Sequence, residues 1–347
     1  MINKANEGTN PLISVIVPVY NGGTSFKACL DHLLASDYPF LEIIISDDGS
    51  IDGSYELAQS KGLTVLHSPI RQGAAIARNT AAQISKGELL FFTDSDVWVN
   101  KDTISGLATV LLNDPMIDAV IGSYSPFVPQ KNIWSRFKNL HHHYIHQISQ
   151  SQAITFWTGC GMIRREAFFA VGGFDHSYKG ATIEDIELGY RLTKIGRKIR
   201  LAREIQVTHA KRYTLTSLMQ SDIFHRAVPW TLLMLKEHTI RSDLNTTWGN
   251  AISVFFSWLF IVSLFSSIFW GWWALLATAV IILVFILLNL HFYRYANSRY
   301  HFFFALAMIP VTWLYFLYSG IGLALGILSF LKWRIFDYKN TTAKDSN

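Results

Sequence analysis

Cysteine is scarce in this chain. Only two occur among 347 residues, Cys29 and Cys160, and their spacing matches no cysteine motif for a metal. We expect both to be small core residues in a reducing compartment. The first residues, Met1-Ile2-Asn3-Lys4, lack the apolar core of a secretory signal peptide. The sequence therefore predicts that the N-terminal domain stays in the cytosol.

Acidic residues are absent from positions 248–330, where the only basic residues are Arg294 and Arg299. About 20 consecutive apolar residues are enough for a helix to cross a bilayer. Runs of about this length occur near 250–270, 272–290 and 302–331. The sequence therefore predicts an integral membrane protein with about three spans.

Charge determines the orientation of these spans only in part. Cytosolic loops carry an excess of Lys and Arg, so we expect the loop 291–301 in the cytosol. A third full span would carry the basic C-terminal tail out of the cytosol, which the same rule disfavours. Pro310 and the glycines after it leave open a broken or re-entrant last segment. The net charge of +5 fits anionic lipid headgroups and a diphosphate substrate, and we expect no nucleic-acid partner.

Strand and helix patterns alternate along the N-terminal part of the chain. No Gly-x-Gly-x-x-Gly turn follows the first strand, which argues against a dinucleotide-binding fold. Alternation at this spacing is typical of an α/β protein whose mostly parallel sheet has helices on both faces. Pro18 is expected to stop the first strand. The predicted strands are 13–17, 41–46, 63–66 and 88–93, and the predicted helices are 25–34, 52–60 and 73–85.

Two later stretches, 132–148 and 213–235, each have one apolar helical face that includes Trp, and basic residues lie elsewhere on the helix. Such helices can lie in the lipid headgroup layer, or they can simply pack onto the domain. Proximity to the predicted spans favours the membrane for the second stretch. The predicted organisation is a soluble domain at 1–212, interface helices and a linker at 213–247, a membrane region at 248–331 and a polar tail at 332–347.

The triplet Asp94-Ser95-Asp96 follows the apolar run Leu89–Thr93. Ligands bind at the carboxyl ends of strands in open α/β sheets. Two carboxylates one residue apart can meet one hard cation, and oxygen ligands suit Mg²⁺ or Mn²⁺. Such a cation can hold a diphosphate and neutralise the charge of its departure. Alone, two nearby Asp in a loop are more often ordinary polar residues.

Further motifs occur in order along the chain and together carry a specific resemblance. The motifs are Pro18-Val19-Tyr20-Asn21, Asp47-Asp48-Gly49-Ser50 with Asp52, Arg71-Gln72-Gly73 leading to Ala77-Arg78-Asn79, Asp94-Ser95-Asp96, Gly172-Gly173-Phe174-Asp175 and Glu184-Asp185-Ile186-Glu187-Leu188. With these motifs, the chain resembles a family 2 glycosyltransferase with a GT-A fold over roughly residues 11–230.

This resemblance implies a nucleotide-sugar site at the strand ends. Tyr20 could lie beside the base, and Asp47 or Asp48 could accept hydrogen bonds from uracil or ribose. The alternative for Asp48 is an ordinary turn or helix cap. Arg71 could pair with phosphate or base, or be a solvated surface residue, whereas Arg78 is expected to support the site. The candidate substrate-binding residues are Pro18, Tyr20, Asp47, Asp48, Arg71, Asp94, Ser95, Glu184 and Arg226.

A hydroxyl acceptor needs a base to remove its proton, and Asp185 is the candidate catalytic residue. The alternative is that Asp185 and its acidic neighbour only favour the positive N-terminal end of a helix. His209 follows a predicted strand and could contact the metal or the diphosphate, although a lone His is more often structural. The candidate metal ligands are Asp94, Asp96 and His209.

Four histidines at 141–143 and 146 form the other concentration of possible metal ligands. Consecutive residues of a helix point in different directions, and only His142 and His146 share a face. We therefore do not favour a metal site there.

The resemblance implies a membrane-bound, inverting transfer of one sugar from a nucleotide-diphosphate sugar, preferably a UDP-sugar. The acceptor would be a hydroxyl of a lipid or lipid-linked glycan at the cytosolic leaflet of the inner membrane. A polyprenyl-phosphate glycosyltransferase is an alternative, but an ionised phosphate needs no base. A processive polysaccharide synthase is another, but the Gln-x-x-Arg-Trp motif is not matched between Gln220 and Trp230. A catalytically silent scaffold subunit is the non-enzymatic alternative.

Overall fold

The computed structural model describes residues 10–178, 180, 182–237 and 247–344, with side chains described up to residue 336. The predicted cytosolic start of the chain, much of the predicted linker and most of the predicted polar tail therefore lie outside the described side chains. The chain divides into two compact units. The first comprises Met1–Ser125 and Gln150–Lys211, and the second comprises Pro126–Ser149 and Arg212–Asn347.

A nine-stranded mixed sheet forms the centre of the first unit. Its order is β3-β2-β1-β4-β8-β6-β9-β5, and β7 pairs with β9. The neighbours β3-β2-β1-β4 are parallel, as are β6 and β9. The strands are β1 Ile13–Val19, β2 Leu41–Asp47, β3 Thr64–His67, β4 Leu89–Phe92, β5 Val97–Trp98, β6 Ala119–Tyr124, β7 Gln152–Ala153, β8 Gly161–Arg164 and β9 Ile199–His209.

Strand β1 is buried along its whole length, as expected for a β-branched strand in the middle of a parallel sheet. The prediction that Pro18 ends this strand was wrong, because Pro18 pairs with Ser46 inside the β1–β2 ladder. The β1–β4 ladder ends earlier, at Ile16 and Phe92. The missing N–H of Pro18 falls on the side where β4 has already ended, so no ladder hydrogen bond is lost there.

Helices cover the sheet of the first unit. The helix α1 buries Phe26, Cys29 and Leu30, whereas Leu34 at its end is 47% exposed. Cys160 is also buried, and burial raises the pKa of this thiol to about 12. Both cysteines are thus unreactive core residues. The helices are α1 Gly23–Leu34, α2 Ser54–Ser60, α3 Ala74–Ile84, α4 Thr103–Asn113, α6 Arg165–Ala170 and α7 Glu184–Lys194.

The second unit is helical. Its helix α5, Ile133–Ile148, packs Phe137 and Leu140 into a cluster with Phe292 and Met308. Packing, rather than exposure of this face, is therefore what the structure shows for the first amphipathic stretch. The second stretch forms α8 Leu215–Gln220, a π-helical segment Ser221–Ala227 and α9 Val228–Lys236, and the apolar helices are α10 Trp248–Trp270, α11 Trp272–Leu288, α12 Leu290–Arg299 and α13 Phe302–Lys344.

Two described helices, Trp248–Trp270 and Phe302–Phe336, are long and apolar enough to cross a membrane. A third span is obtained if α11 and α12, which meet at an angle of 58°, count as one. The expected alternative of a break near Pro310 was wrong, because the break in the apolar region lies at Asn289 and α13 continues through Pro310. Proline is tolerated inside membrane helices because neighbouring groups satisfy the freed backbone.

Candidate active site

Tyr20 and Arg71 form an exposed edge of the site at the carboxyl ends of β1 and β2. Tyr20 directly follows β1 and is 41% exposed. The guanidinium carbon of Arg71 lies 4.2 Å from the centroid of the Tyr20 ring. This stacked arrangement presents a flat aromatic and cationic surface, which is suited to a nucleobase or a phosphate. The register of β1 and β2 sets Val19 beside Asp47, so both strand ends meet at this edge.

Asp47 and Asp48 are both buried and both have partners within the unit. Asp47 accepts hydrogen bonds from the Ser50 N–H at 3.3 Å and makes a 2.7 Å contact with Nδ1 of His67. Asp48 accepts from the N–H groups of Gln72 at 2.7 Å and Gly73 at 2.8 Å. Asp48 therefore orders the loop that contains Gln72 and Gly73, and with it Arg71, the residue before Gln72. The Asp47–Ser50 contact is that of a local turn, whereas the contacts of Asp48 with residues 24 and 25 positions away are not those of the expected turn or cap. Nucleotide binding by the two carboxylates stays a prediction.

Arg78 is the centre of a buried ion-pair chain. It projects from α3 with 3% exposure, and its Nη1 and Nη2 donate to Glu184 at 2.8 Å and Asp94 at 2.7 Å. Burial acts to lower the pKa of Arg78, but Asp94 and Glu184 outweigh it and raise the pKa above its ordinary value. One permanently charged guanidinium thus connects the end of β4 to the start of α7, which begins 106 residues after Arg78.

Glu184 is therefore internally paired. Its side chain is 3% exposed, and its second oxygen accepts a 2.7 Å hydrogen bond from the Thr182 N–H. These contacts give Glu184 a positioning role, and direct substrate binding by it stays a prediction.

Asp96 and His209 face one another beside the end of β4. The β5–β9 ladder pairs Val97 with His209, which brings Nε2 of His209 to 3.6 Å from Oδ1 of Asp96. The His209 ring stacks on Tyr124 with centroids 4.5 Å apart and an interplanar angle of 5°. Burial raises the pKa of Asp96, and Lys211 offsets only part of this effect. Ser95 lies between the two aspartates and is partly buried.

This group fits a divalent cation that is also held by a substrate. Among the described residues, no three His, Cys, Asp or Glu side chains form a metal site by themselves. However, the 3.6 Å between Nε2 of His209 and Oδ1 of Asp96 is longer than a hydrogen bond and short enough for both atoms to bind one ion. Oδ1 of Asp94 accepts from Arg78, so Oδ2 is the oxygen of Asp94 that could bind the same ion. Mg²⁺ and similar cations are commonly held by one or two carboxylates together with substrate phosphates. Asp94, Asp96 and His209 are therefore suited to bind a cation whose coordination is completed by a diphosphate.

Asp185 is held in position at the N-terminal end of α7. Its Oδ2 accepts hydrogen bonds of 3.2 Å from both the N–H and the hydroxyl of Thr158, and its Oδ1 accepts from the Ile186 N–H at 2.8 Å. Asp185 is partly exposed, unlike the adjacent Glu184. A partly exposed carboxylate with a fixed orientation can act as a general base.

The structure thus brings most of the predicted residues to the carboxyl ends of β1, β2 and β4. Pro18 is buried within β1, and Arg226 belongs to the π-helical segment of the second unit. Sequence reasoning missed His67, which contacts Asp47, and Thr158, which holds Asp185. Neither residue lies in a motif, so only the tertiary contacts reveal them.

Comparison with known proteins gives the family. Residues 14–172 match the model of Glycosyl transferase family 2. Glycosyltransferase GlyG of Streptococcus pneumoniae serotype 4 is 39% identical over 118 residues, which cover 33% of this chain and 39% of that protein. This chain therefore spans about two fifths of the length of that curated relative.

Two solved structures share the fold. The mannosyltransferase PcManGT from Pyrobaculum calidifontis, in complex with GDP-Man and Mn²⁺, has a TM-score of 0.59 at 18% identity and covers 93% of this chain and 88% of its own. S. aureus TarS 1-349, in complex with UDP-GlcNAc, has a TM-score of 0.50 at 20% identity and covers 65% and 66%. The resemblance inferred from the motifs is confirmed: residues 14–172 form a glycosyl transferase family 2 domain, and the chain combines a GT-A-type sheet with C-terminal helices long and apolar enough to span a membrane.

Proposed function

We propose that this protein is a membrane-bound inverting glycosyltransferase. It moves one sugar from a nucleotide-diphosphate sugar to a hydroxyl of a lipid or lipid-linked glycan. The observation that carries the proposal is the Asp94–Arg78–Glu184 chain, which links the acidic end of β4 to the helix turn that presents Asp185. A donor-binding region and a base on a separate element are thereby fixed relative to one another.

The donor half of the proposed site lies along three strand ends. Tyr20 and Arg71 bind the base or the phosphates, and Asp47 and Asp48 contribute through the loops they hold as well as through any direct contact. Asp96, His209 and the second oxygen of Asp94 would hold Mg²⁺ or Mn²⁺, which when bound neutralises negative charge on the leaving diphosphate. The related structures contain GDP-Man or UDP-GlcNAc, so both uridine and guanosine donors belong in the test.

The acceptor half depends on Asp185. Its carboxylate takes the proton of the attacking hydroxyl as that oxygen bonds to the anomeric carbon and the bond to the diphosphate breaks. A single displacement with a base on the opposite face inverts the anomeric configuration. Thr158 keeps the carboxylate aimed through two hydrogen bonds, so Asp185 does not have to be ordered at the moment of reaction.

The apolar helices support a place in the membrane. We propose that they anchor the protein in the inner membrane with the α/β unit in the cytosol, where nucleotide sugars are available. The predicted loop 291–301 was wrong in its structure, because most of it is the helix α12, and this helix carries Arg294 and Arg299, as the positive-inside rule prefers for a cytosolic segment.

A donor and acceptor panel tests the proposal. Purified protein with Mn²⁺ is screened for thermal stabilisation by UDP- and GDP-sugars, since a ligand that binds only the folded state raises stability. The stabilising donor is then assayed with a hydroxyl-bearing lipid and, separately, with polyprenyl phosphate. We expect transfer to the hydroxyl acceptor with inversion. Efficient transfer to polyprenyl phosphate alone would support that alternative, and products carrying many sugars would indicate a polysaccharide synthase.

A further inference from the structure

The second unit contains a cavity of about 160 Å³ at one end of the α10–α11 hairpin. It is lined by Thr247, Gly249 and Asn250 at the start of α10, by Leu288 and Asn289 at the end of α11, and by His141 of α5. Asn289 donates to the Ser253 hydroxyl at 3.2 Å, which confirms that the start of α10 lies beside the end of α11.

The cavity lies at the start of α10 and the end of α11, and Thr312 and Phe316 of α13 also line it. Trp248 opens α10 in the same turn and is 79% exposed. Tryptophan at the end of a membrane helix lies at the level of the lipid headgroups. If α10 and α11 span the bilayer, the cavity is therefore level with the glycerol and headgroup region of the lipids.

The lining combines an apolar wall with uncharged hydrogen-bonding groups. Phe292 forms part of the wall. The amide nitrogen of Asn289 donates to Ser253 and, at 3.0 Å, to the Phe285 carbonyl, which leaves Oδ1 as the acceptor that this amide offers. Burial and the neighbouring Lys138 lower the pKa of His141 to about 3, although Asp222 acts in the opposite direction, so the imidazole is neutral at physiological pH.

No formal charge lines the cavity among the residues that the structure describes. Lys138, one turn before His141 on α5, is engaged in an ion pair with Asp222. An anionic phosphate placed in this cavity would therefore lose water without gaining a cation, which is costly. A hydroxyl suits the site better, because it can donate to the Asn289 carbonyl oxygen.

We propose that this cavity binds the hydroxyl-bearing interfacial part of an uncharged lipid. Its volume is close to that of an engineered protein cavity of about 150 Å³ that binds benzene, so it accepts one small group rather than a whole lipid. The inference rests on the proposed function in that it assumes the helices lie in a bilayer.

Photolabelling of the full chain in phosphatidylcholine nanodiscs tests this assignment. The probe is a diacylglycerol with a diazirine near its glycerol hydroxyl, and labelled peptides are identified by mass spectrometry. We expect labelling of α5 and of the first turn of α10, with unlabelled diacylglycerol competing about tenfold better than phosphatidate. Equal or better competition by phosphatidate, or labelling spread over the lipid-facing helices without enrichment at the cavity, would overturn the proposal.

Gly249 offers a matched pair of variants. A Cβ built there meets only Thr247 Oγ1, at 3.9 Å, so Gly249→Leu adds bulk at the lining of the cavity without a backbone clash. Ala251→Leu adds similar bulk in the same turn at an exposed position that does not line the cavity. We expect Gly249→Leu to lower cavity labelling about tenfold and Ala251→Leu to leave it within about twofold of the native chain. Equal labelling of both variants would contradict the assignment.

Labelling and turnover separate this inference from the proposed function. Cavity labelling without sugar transfer to any acceptor would leave the lipid site standing and count against the transferase proposal. Sugar transfer to a hydroxyl lipid without cavity labelling would overturn the lipid site alone.

Discussion

Replacement of Arg78 by Met is expected to cost both stability and activity. The guanidinium is 3% exposed and bonds to two carboxylates, of which Glu184 is equally buried and Asp94 is one-third exposed. Methionine fills a similar volume without charge, so Glu184 keeps its negative charge in a dry environment, where Thr182 is the hydrogen-bond partner left to it among the described residues. Asp94 loses the contact that orients it.

Removing one partner of a buried ion pair typically costs about 3–5 kcal/mol. For a unit of this size, each kcal/mol lowers the melting temperature by about 2–4 °C, so we expect a decrease of roughly 6–20 °C. The double variant Arg78→Met/Glu184→Gln should recover about 2 kcal/mol, because the uncompensated buried charge is removed. The melting temperature of Arg78→Lys should lie between those of Arg78→Met and the native chain, because lysine keeps the charge but cannot reproduce the forked geometry of the guanidinium.

Thermal melting and donor-dependent kinetics measure these effects separately. The change in orientation of Asp94 should lower transfer about 10- to 100-fold, the range found when outer partners of metal ligands are removed. The double variant should regain stability without regaining activity, since Asp94 is still without its arginine. If Arg78→Met melted within about 2 °C of the native chain, the ion pairs would not have the energetic role assigned to them.

Three further predictions follow from other contacts. Gly173 has φ +73°, and a Cβ there would lie 2.6 Å from Oδ1 of Asn79, whereas a Cβ at Gly172, with φ +79°, would meet nothing within 4 Å. Both Gly→Ala variants strain the backbone, but only Gly173→Ala adds a close contact. We therefore expect the free energy of unfolding to be about 1–2 kcal/mol lower for Gly173→Ala than for Gly172→Ala. The pKa of His141 is 6.5 in the unfolded chain and about 3 in the folded chain, so the unfolded chain binds the proton more readily and the free energy of unfolding decreases as pH falls below 6.5. From pH 7 to pH 5, the free energy of unfolding of the native chain should decrease by about 2 kcal/mol more than that of His141→Leu. Parallel pH profiles of the two proteins would contradict this. Asp96→Asn should abolish most of the stabilisation by Mn²⁺ with UDP or GDP, which for the native chain at 100-fold excess over Kd is about 2.7 kcal/mol, and an undiminished thermal shift would remove Asp96 from the metal ligands.

The sequence predicted the sheet edge well because β-branched runs and the polar residues after them are local signals. The ends of β1, β2 and β4 lie together as the alternation of strands and helices requires. The partners of the site residues were not predictable, because they are distant along the chain. Thr158 is 27 residues from Asp185, and no periodicity in one sequence relates the two.

The helical part was predicted in outline and corrected in detail. Apolar runs revealed the membrane-like helices, but a hydropathy pattern does not locate a bend, and the break lies at Asn289 rather than near Pro310. The apolar face of α5 likewise predicted the helix but not the helices against which it packs. Its packing against α12 and α13 became visible only in the structure.

Asp185→Asn tests the central claim most directly. The amide keeps the size of the side chain and can still accept from Thr158, but it cannot take a proton from the acceptor hydroxyl. We predict that kcat falls about 10²- to 10⁴-fold while the Kd of the nucleotide sugar, measured by calorimetry, changes less than about twofold. A variant with the kcat of the native chain would contradict the assignment of Asp185 as the base and, with it, the proposed transfer to a hydroxyl.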